Sequence, residues 1–116
     1  MDFGQYIKAF REAKRATDPS FSLRQVAQRV GVDPGYLSKL ELGRFNDPSE
    51  KVVLAIAQDL GASPDLLLAM TGRVSATFKK ALMKRPELFI RLLAEIKDLP
   101  DQELVEIQQR VRDGNW

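Results

Sequence analysis

Residues 22–49 read SLRQVAQRVGVDPGYLSKLELGRFNDPS, and this stretch decides the fold. It opens with Ser22-Leu23-Arg24-Gln25, which fits a capping box. In that motif the Ser22 hydroxyl serves the Gln25 amide, and the Gln25 side chain reaches back. Val26, Ala27 and Val30 then share one face of a helix that Gly31 ends. A second helix begins only three residues on, with Asp33 as its N-cap and Pro34 at its first position. Leu37 and Leu40 make its inward face, and Gly43 stops it. Ala27 is small where the two helices cross at near contact. Gly31 lets the chain turn tightly, and Val32 plugs the angle between the helices. Leu37 and Leu40 pin the second helix and leave its other face free.

Outward from this pair the chain stays helical. A first helix is expected from about Phe3 to Arg15, with Phe3, Ile7 and Phe10 on one face. Thr17-Asp18-Pro19-Ser20 breaks it, since proline cannot continue a helix and Asp and Ser favour turns. Arg44 to Pro48 is a loop. A fourth helix spans about Ser49 to Leu60, with Val53, Ile56, Ala57 and Leu60 inward. Ser63-Pro64-Asp65 caps a short fifth helix carrying Leu66, Leu67 and Met70. After Gly72 the character changes. Phe78 and Leu82 make a thin apolar stripe. Pro86-Glu87 then opens a strongly amphipathic helix in which Leu88, Phe89, Leu92, Leu93, Ile96 and Leu99 recur at helical spacing. Pro100-Asp101 breaks it, and Leu104, Ile107 and Val111 mark a last helix. No segment alternates with period two, so no sheet is expected. The expected fold is all-α, with five helices in residues 1–72 and a helical extension in residues 73–116.

The chain has 116 residues, 44% hydrophobic and 29% charged, enough for a core without staples. It contains no cysteine and no histidine. Disulfides, thiol nucleophiles, the usual general base and the usual zinc ligands are therefore missing. No catalytic pairing stands out among the remaining residues, which points away from an enzyme, and no cofactor is expected. No run approaches the ~18 apolar residues of a membrane span. The first residues lack the basic and apolar regions of a signal peptide, so a soluble, cytoplasmic protein with no membrane partner is expected. The net charge of +2 says little. Its distribution says more, because residues 73–85 hold Arg73, Lys79, Lys80, Lys84 and Arg85 and no acid.

A helix, a turn through Gly31-Val32 and a second short helix make the layout of a helix-turn-helix. With Tyr36-Leu37-Ser38-Lys39-Leu40-Glu41 and Gly43 correctly placed after Ala27 and Gly31, the sequence resembles the phage Cro/repressor type, the XRE family. The resemblance continues through Val53, Leu54, Ala57, Leu60 to Ser63 and Leu66 to Leu68, covering roughly residues 3 to 72. It implies a five-helix lambda-repressor-like domain whose third helix, residues 34–42, enters the major groove of double-stranded DNA. It further implies that the exposed positions Gly35, Tyr36, Ser38 and Lys39 form the reading face. Lys39 can donate to guanine O6 or N7, Ser38 to base or phosphate, and Tyr36 can reach a phosphate or a thymine methyl. Ser22 and the first amides of its helix sit where the family grips phosphate. Arg24, Arg44 and Asn46 are further phosphate candidates. The arginine–glutamate pair common in the family matches Arg11 and Glu41, a structural role. Two departures stand out: Leu23 replaces a common glutamine, and Pro34-Gly35 replace long polar readers, which shifts weight toward DNA shape. The loop Ala16 to Phe21 is also longer than usual and is read as a surface turn rather than a contact to the DNA backbone.

The helices after residue 72 are similar in layout to those of SinR-type repressors, whose terminal helices mediate assembly. Burying the stripe Leu88 to Leu99 needs a core or a second chain, so a homodimer through about Pro86 to Val111 is expected. The basic run 73–85 reads as a solvated face, with an extended phosphate footprint or an acidic partner as alternatives. The expected function is sequence-specific transcriptional regulation, as a repressor acting by occlusion. The alternative is an antitoxin- or immunity-type interaction module, with a protein partner at the C-terminal helices and autoregulatory DNA binding.

Overall fold

Asp2 starts the first helix, α1 (Phe3–Arg15), with a full capping box: its carboxylate accepts from the Gln5 amide at 2.8 Å, and its own amide donates to the Gln5 side chain at 3.1 Å. The structure, a computed structural model, describes residues 1–45 and 47–115. It resolves into two compact units, Met1–Ala76 and Thr77–Trp116. All regular structure among the described residues is helical.

In the first unit, a short 3-10 turn (Pro19–Phe21) follows α1 and leads into α2 (Leu23–Val30), α3 (Pro34–Glu41), α4 (Glu50–Leu60) and α5 (Pro64–Met70). The caps follow the sequence. Ser22, Ser49 and Ser63 each accept from an amide in the first turn of the helix they open. Gly31 at the end of α2 has φ 88°, a left-handed conformation that glycine takes without strain. Helix α1 packs on α3 and α4, α2 on α3 and α4, and α4 on α5. The shared core holds Ile7, Ala27, Leu37, Leu40, Ile56 and Leu60, all fully buried. Val32 packs against this core beside the α2–α3 turn.

Several details depart from the sequence reading. The Gln25 side chain does not reach back to the Ser22 amide. That amide donates instead to the Pro19 carbonyl at 3.3 Å, and the Gln25 side-chain oxygen accepts from the Ser22 hydroxyl at 3.1 Å. The 3-10 turn thus takes the donor that a capping box needs. Asp33 stands at the N-cap of α3 but makes no side-chain cap bond. Helix α3 ends at Glu41, with Leu42 as its C-cap. In α5 the inward residues are Leu67 and Leu68, while Leu66 is exposed. The loop before α2 is a surface turn, with residues 16–19 exposed, whose end is tied in: Asp18 caps the 3-10 turn, Phe21 packs on the core, and Arg11 donates to the Phe21 carbonyl at 3.2 Å.

The second unit carries α6 (Ala76–Lys84, which begins at the boundary), α7 (Pro86–Ile96) and α8 (Asp101–Asp113). Leu99 lies beyond the end of α7. None of these three helices contributes a buried residue. No helix among the described residues is long and apolar enough to cross a membrane.

Candidate nucleic-acid interface

Helix α3 has two functions to divide among eight residues. At 3.6 residues per turn, the buried Leu37, Leu40 and Glu41 fall on one side, and Gly35, Lys39 and Leu42 fall on the other. Ser38 and Tyr36 lie on the flanks. Burial follows this geometry: Gly35 and Lys39 are exposed, and Ser38 and Tyr36 are half-buried. Leu42 is also exposed, at 54%, and was not singled out by sequence because its apolar character reads as core.

The inward side of α3 is fixed by an ion pair. Arg11 donates from Nε to Glu41 Oε2 at 2.7 Å and from a terminal nitrogen to Oε1 at 2.9 Å. Both side chains are only 5% exposed. The pairing is bidentate and buried, so it sets the roll of α3 on α1 and hence which residues point outward. No buried side-chain polar atom among the described residues is left without a partner.

Beyond α3 the chain direction is pinned. The Gly43 amide donates to the Leu40 carbonyl and the Arg44 amide to the Lys39 carbonyl, at 3.1 and 2.9 Å, with Gly43 at φ 73°. Phe45 then lies against Tyr36, their ring centroids 5.0 Å apart and planes 56° apart. Burial, and secondarily the Asp47 carboxylate, push the Tyr36 phenol above its ordinary pKa. Tyr36 therefore keeps its proton and can donate a hydrogen bond at neutral pH.

Ser22 lies at the N-terminus of α2, half-buried, with its hydroxyl engaged by Gln25. The Gln25 amide is capped, which leaves the Leu23 and Arg24 amides as first-turn donors without intrahelical partners. Arg24 and Arg44 are exposed, and neither they nor Lys39 form an ion pair among the described residues. Asn46 lies outside the described residues. The structure thus brings Gly35, Tyr36, Ser38 and Lys39 onto one helix, with Arg44 just past its end, while Ser22 and Arg24 sit at the start of the neighbouring α2.

Other cations are committed to the fold. Arg29 pairs with Asp59 of α4 through two bonds, 2.6 and 3.1 Å, donates to the Ser20 carbonyl at 2.7 Å, and lies over the Phe21 ring at 5.0 Å. Arg73 donates to the Pro48 carbonyl at 2.7 Å and to Thr71 Oγ1 at 2.9 Å. Arg73 accordingly leaves the solvated basic run and acts as a tie on the loop before α4.

The helix-turn-helix domain family matches residues 2–70. No curated protein matches the chain. Among solved structures, a chain in a complex of SinR protein and SinI protein is similar at TM-score 0.53 and 23% identity, over 97% of this chain and 98% of that chain. At that identity the likeness is one of fold, an all-helical arrangement with helices after the helix-turn-helix. The match over residues 2–70 exceeds half the length, so the chain belongs to the helix-turn-helix domain family, a family of DNA-binding regulators.

Proposed function

We propose that the chain is a cytoplasmic, sequence-specific transcriptional repressor that inserts α3 and its C-cap, residues 34–42, into the major groove and acts by occlusion. One observation carries this reading. The inward face of α3 is fully engaged by Leu37, Leu40 and the Arg11–Glu41 pair, while Gly35 and Lys39 face outward with no internal work to do. Lys39 and Ser38 reach base edges, and Tyr36 meets a thymine methyl or a phosphate. Ser22, with the free amides of α2, and Arg24, Arg44 and Asn46 hold the sugar–phosphate backbone and set the register.

Residues 1–72 act as the DNA-binding domain in this reading, and residues 73–116 as the dimerising extension. Support comes from the uncovered apolar side chains of the second unit. Leu88 is 64% exposed, Leu92 51% and Val111 59%. Short helices without burial are marginal in water, so a partner surface stabilises them. A second copy gives a two-fold dimer that reads two half-sites about one DNA turn, ~34 Å, apart. The exposed face also favours a second reading, an interaction module with a different protein at these helices. The similar SinR chain comes from a complex with SinI protein.

Selection of random duplex DNA by the purified protein at ~150 mM salt tests the proposal. The expected outcome is an enriched inverted repeat with half-sites one turn apart. Weak binding without enrichment would shift the function to the interaction module.

A further inference from the structure

Phe45 is not among the residues assigned to DNA above, yet it touches the reading helix. Its ring packs on Tyr36 at 5.0 Å between centroids and 56° between planes, the tilted geometry that aromatic quadrupoles favour. Tyr36 is one of the half-buried residues packed against the core. Its ring is therefore held between the core and Phe45. Phe45 is itself 41% exposed, so it is not placed there by burial in the core. Backbone bonds place it instead. On one side the Gly43 and Arg44 amides are bonded to the last turn of α3. On the other, Pro48 is buried and its carbonyl accepts from Arg73. A loop tied at both ends carries an aromatic ring back onto the flank of α3.

That arrangement bears on recognition. A tyrosine free to turn about its side-chain dihedrals presents several surfaces to a groove and loses that freedom on binding. A tyrosine already fixed pays less on binding and presents one surface. Phe45 also lines a cavity of about 220 Å³ together with Phe3, Leu40, Met70 and Thr71.

We propose that Phe45 is a positioning residue for DNA readout: it holds the Tyr36 ring so that Tyr36 meets the C5-methyl of a thymine at one base step, and so sets the preference at that step. The inference rests on the reading of α3 as the major-groove helix. In that groove the thymine methyl is the one apolar group that marks a base pair, and a fixed aromatic edge fits it.

The test is selection of random duplex DNA by the full-length protein and by four variants: Phe45→Leu, Phe45→Trp, Tyr36→Leu and the double Phe45→Leu/Tyr36→Leu. The expected result is loss of thymine preference at the same base position in Phe45→Leu and Tyr36→Leu, by roughly 2- to 10-fold. The double variant loses no more than Tyr36→Leu alone, Phe45→Trp keeps the preference, and binding to unselected DNA is unchanged in Phe45→Leu and Phe45→Trp. Replacing that thymine by deoxyuridine weakens the wild-type protein and leaves Phe45→Leu indifferent. Losses that add in the double variant, or a loss in Phe45→Leu that falls on all sequences alike, would overturn the proposal, since Phe45 would then act on the backbone or on the fold. If the wild type enriches an operator and Phe45→Leu enriches the same one, the positioning role alone is wrong. If the wild type enriches nothing, the major-groove reading fails, and the positioning role with it.

Discussion

Arg11 of α1 and Glu41 at the end of α3 form a buried two-bond ion pair at 2.7 and 2.9 Å, and this pair orients the helix that carries the reading face. Hydrogen bonding to Glu41 raises the Arg11 pKa, so the guanidinium stays charged at any ordinary pH. Removing one partner leaves the other charge buried and uncompensated. Arg11→Ala or Glu41→Ala should each cost about 3–5 kcal/mol of stability. The double variant Arg11→Met/Glu41→Leu should recover most of that loss, because an apolar pair of similar volume has no charge to desolvate. Urea titration of all three variants checks this. Single variants within about 1 kcal/mol of wild type would mean that water reaches the pair.

Gly4 sits inside α1, where alanine would ordinarily be preferred by roughly 0.5–1 kcal/mol. Here a Cβ would lie 2.2 Å from the Leu40 carbonyl oxygen and 3.0 Å from that of Glu41. Both atoms are backbone, so α1 and α3 must move apart to admit the methyl group. The steric cost exceeds the propensity gain, and Gly4→Ala should destabilise by about 1–3 kcal/mol. Because the displaced backbone belongs to α3, DNA affinity should fall with it. A thermal melt beside a DNA titration reads both, and an unchanged melt would contradict the close approach.

These two relationships differ in how visible they are in the sequence. The α2–α3 unit was legible, because Ala27, Gly31, Val32, Leu37 and Leu40 each have a local or nearest-neighbour role, and glycine and proline punctuate the chain. The constraint on Gly4 was not, since it comes from the backbone of a distant helix. In α5, Leu67 and Met70 lie on the core but Leu68 is buried where Leu66 is exposed, because in two turns the phase of the apolar face is poorly determined. Charge alone did not separate Arg29 and Arg73, which tie the fold together, from Arg24 and Arg44, which remain exposed. Only the acceptors that tertiary structure brings near them make the distinction. Tyr36 was legible as a candidate, whereas its contact with Phe45 depends on how a loop returns.

Asp18 is an acid whose ionisation bears directly on a local structure, the 3-10 turn that it caps. Its carboxylate accepts from the Ser20 hydroxyl at 2.7 Å and from the Ser20 amide at 2.9 Å, which lowers its pKa from 3.8. A depressed folded-state pKa contributes stability above 3.8, and that contribution is lost as pH falls through the lower folded value. The group is fully exposed, so the effect is small. Acid titration followed by circular dichroism should show a shallower loss below pH 3.8 for Asp18→Asn than for wild type. Identical acid limbs would mean that the cap of the 3-10 turn contributes nothing.

The second unit is expected to be held by its own copy. Leu88 and Leu92 lie one turn apart on α7, 64% and 51% exposed. Leu88→Glu/Leu92→Glu should give a monomer in sedimentation velocity, because two carboxylates cannot be buried in an apolar interface without partners. The helix-turn-helix unit should keep its melting behaviour, while affinity for an inverted repeat falls by orders of magnitude as the two half-sites uncouple. A wild-type monomer at micromolar concentration would rule out self-association and favour a different protein at this face.

Gly35 separates the fold from the proposed function, because the two respond to the same substitution with opposite signs. It lies in α3, and no atom stands within 4 Å of the place a Cβ would take, so the folded protein has room for a methyl group there. Alanine in a helix is favoured over glycine by about 0.8–1.0 kcal/mol. Gly35→Ala should therefore raise the melting temperature by about 4–8 °C for a domain of this size. If α3 lies in the major groove, that open space is where DNA approaches, and the added methyl should weaken binding by about 1–3 kcal/mol, as overpacking does elsewhere. A variant that is more stable and binds less tightly places Gly35 at the DNA surface. One that is more stable and binds unchanged would move the reading face along the helix toward Ser38, Lys39 and Leu42.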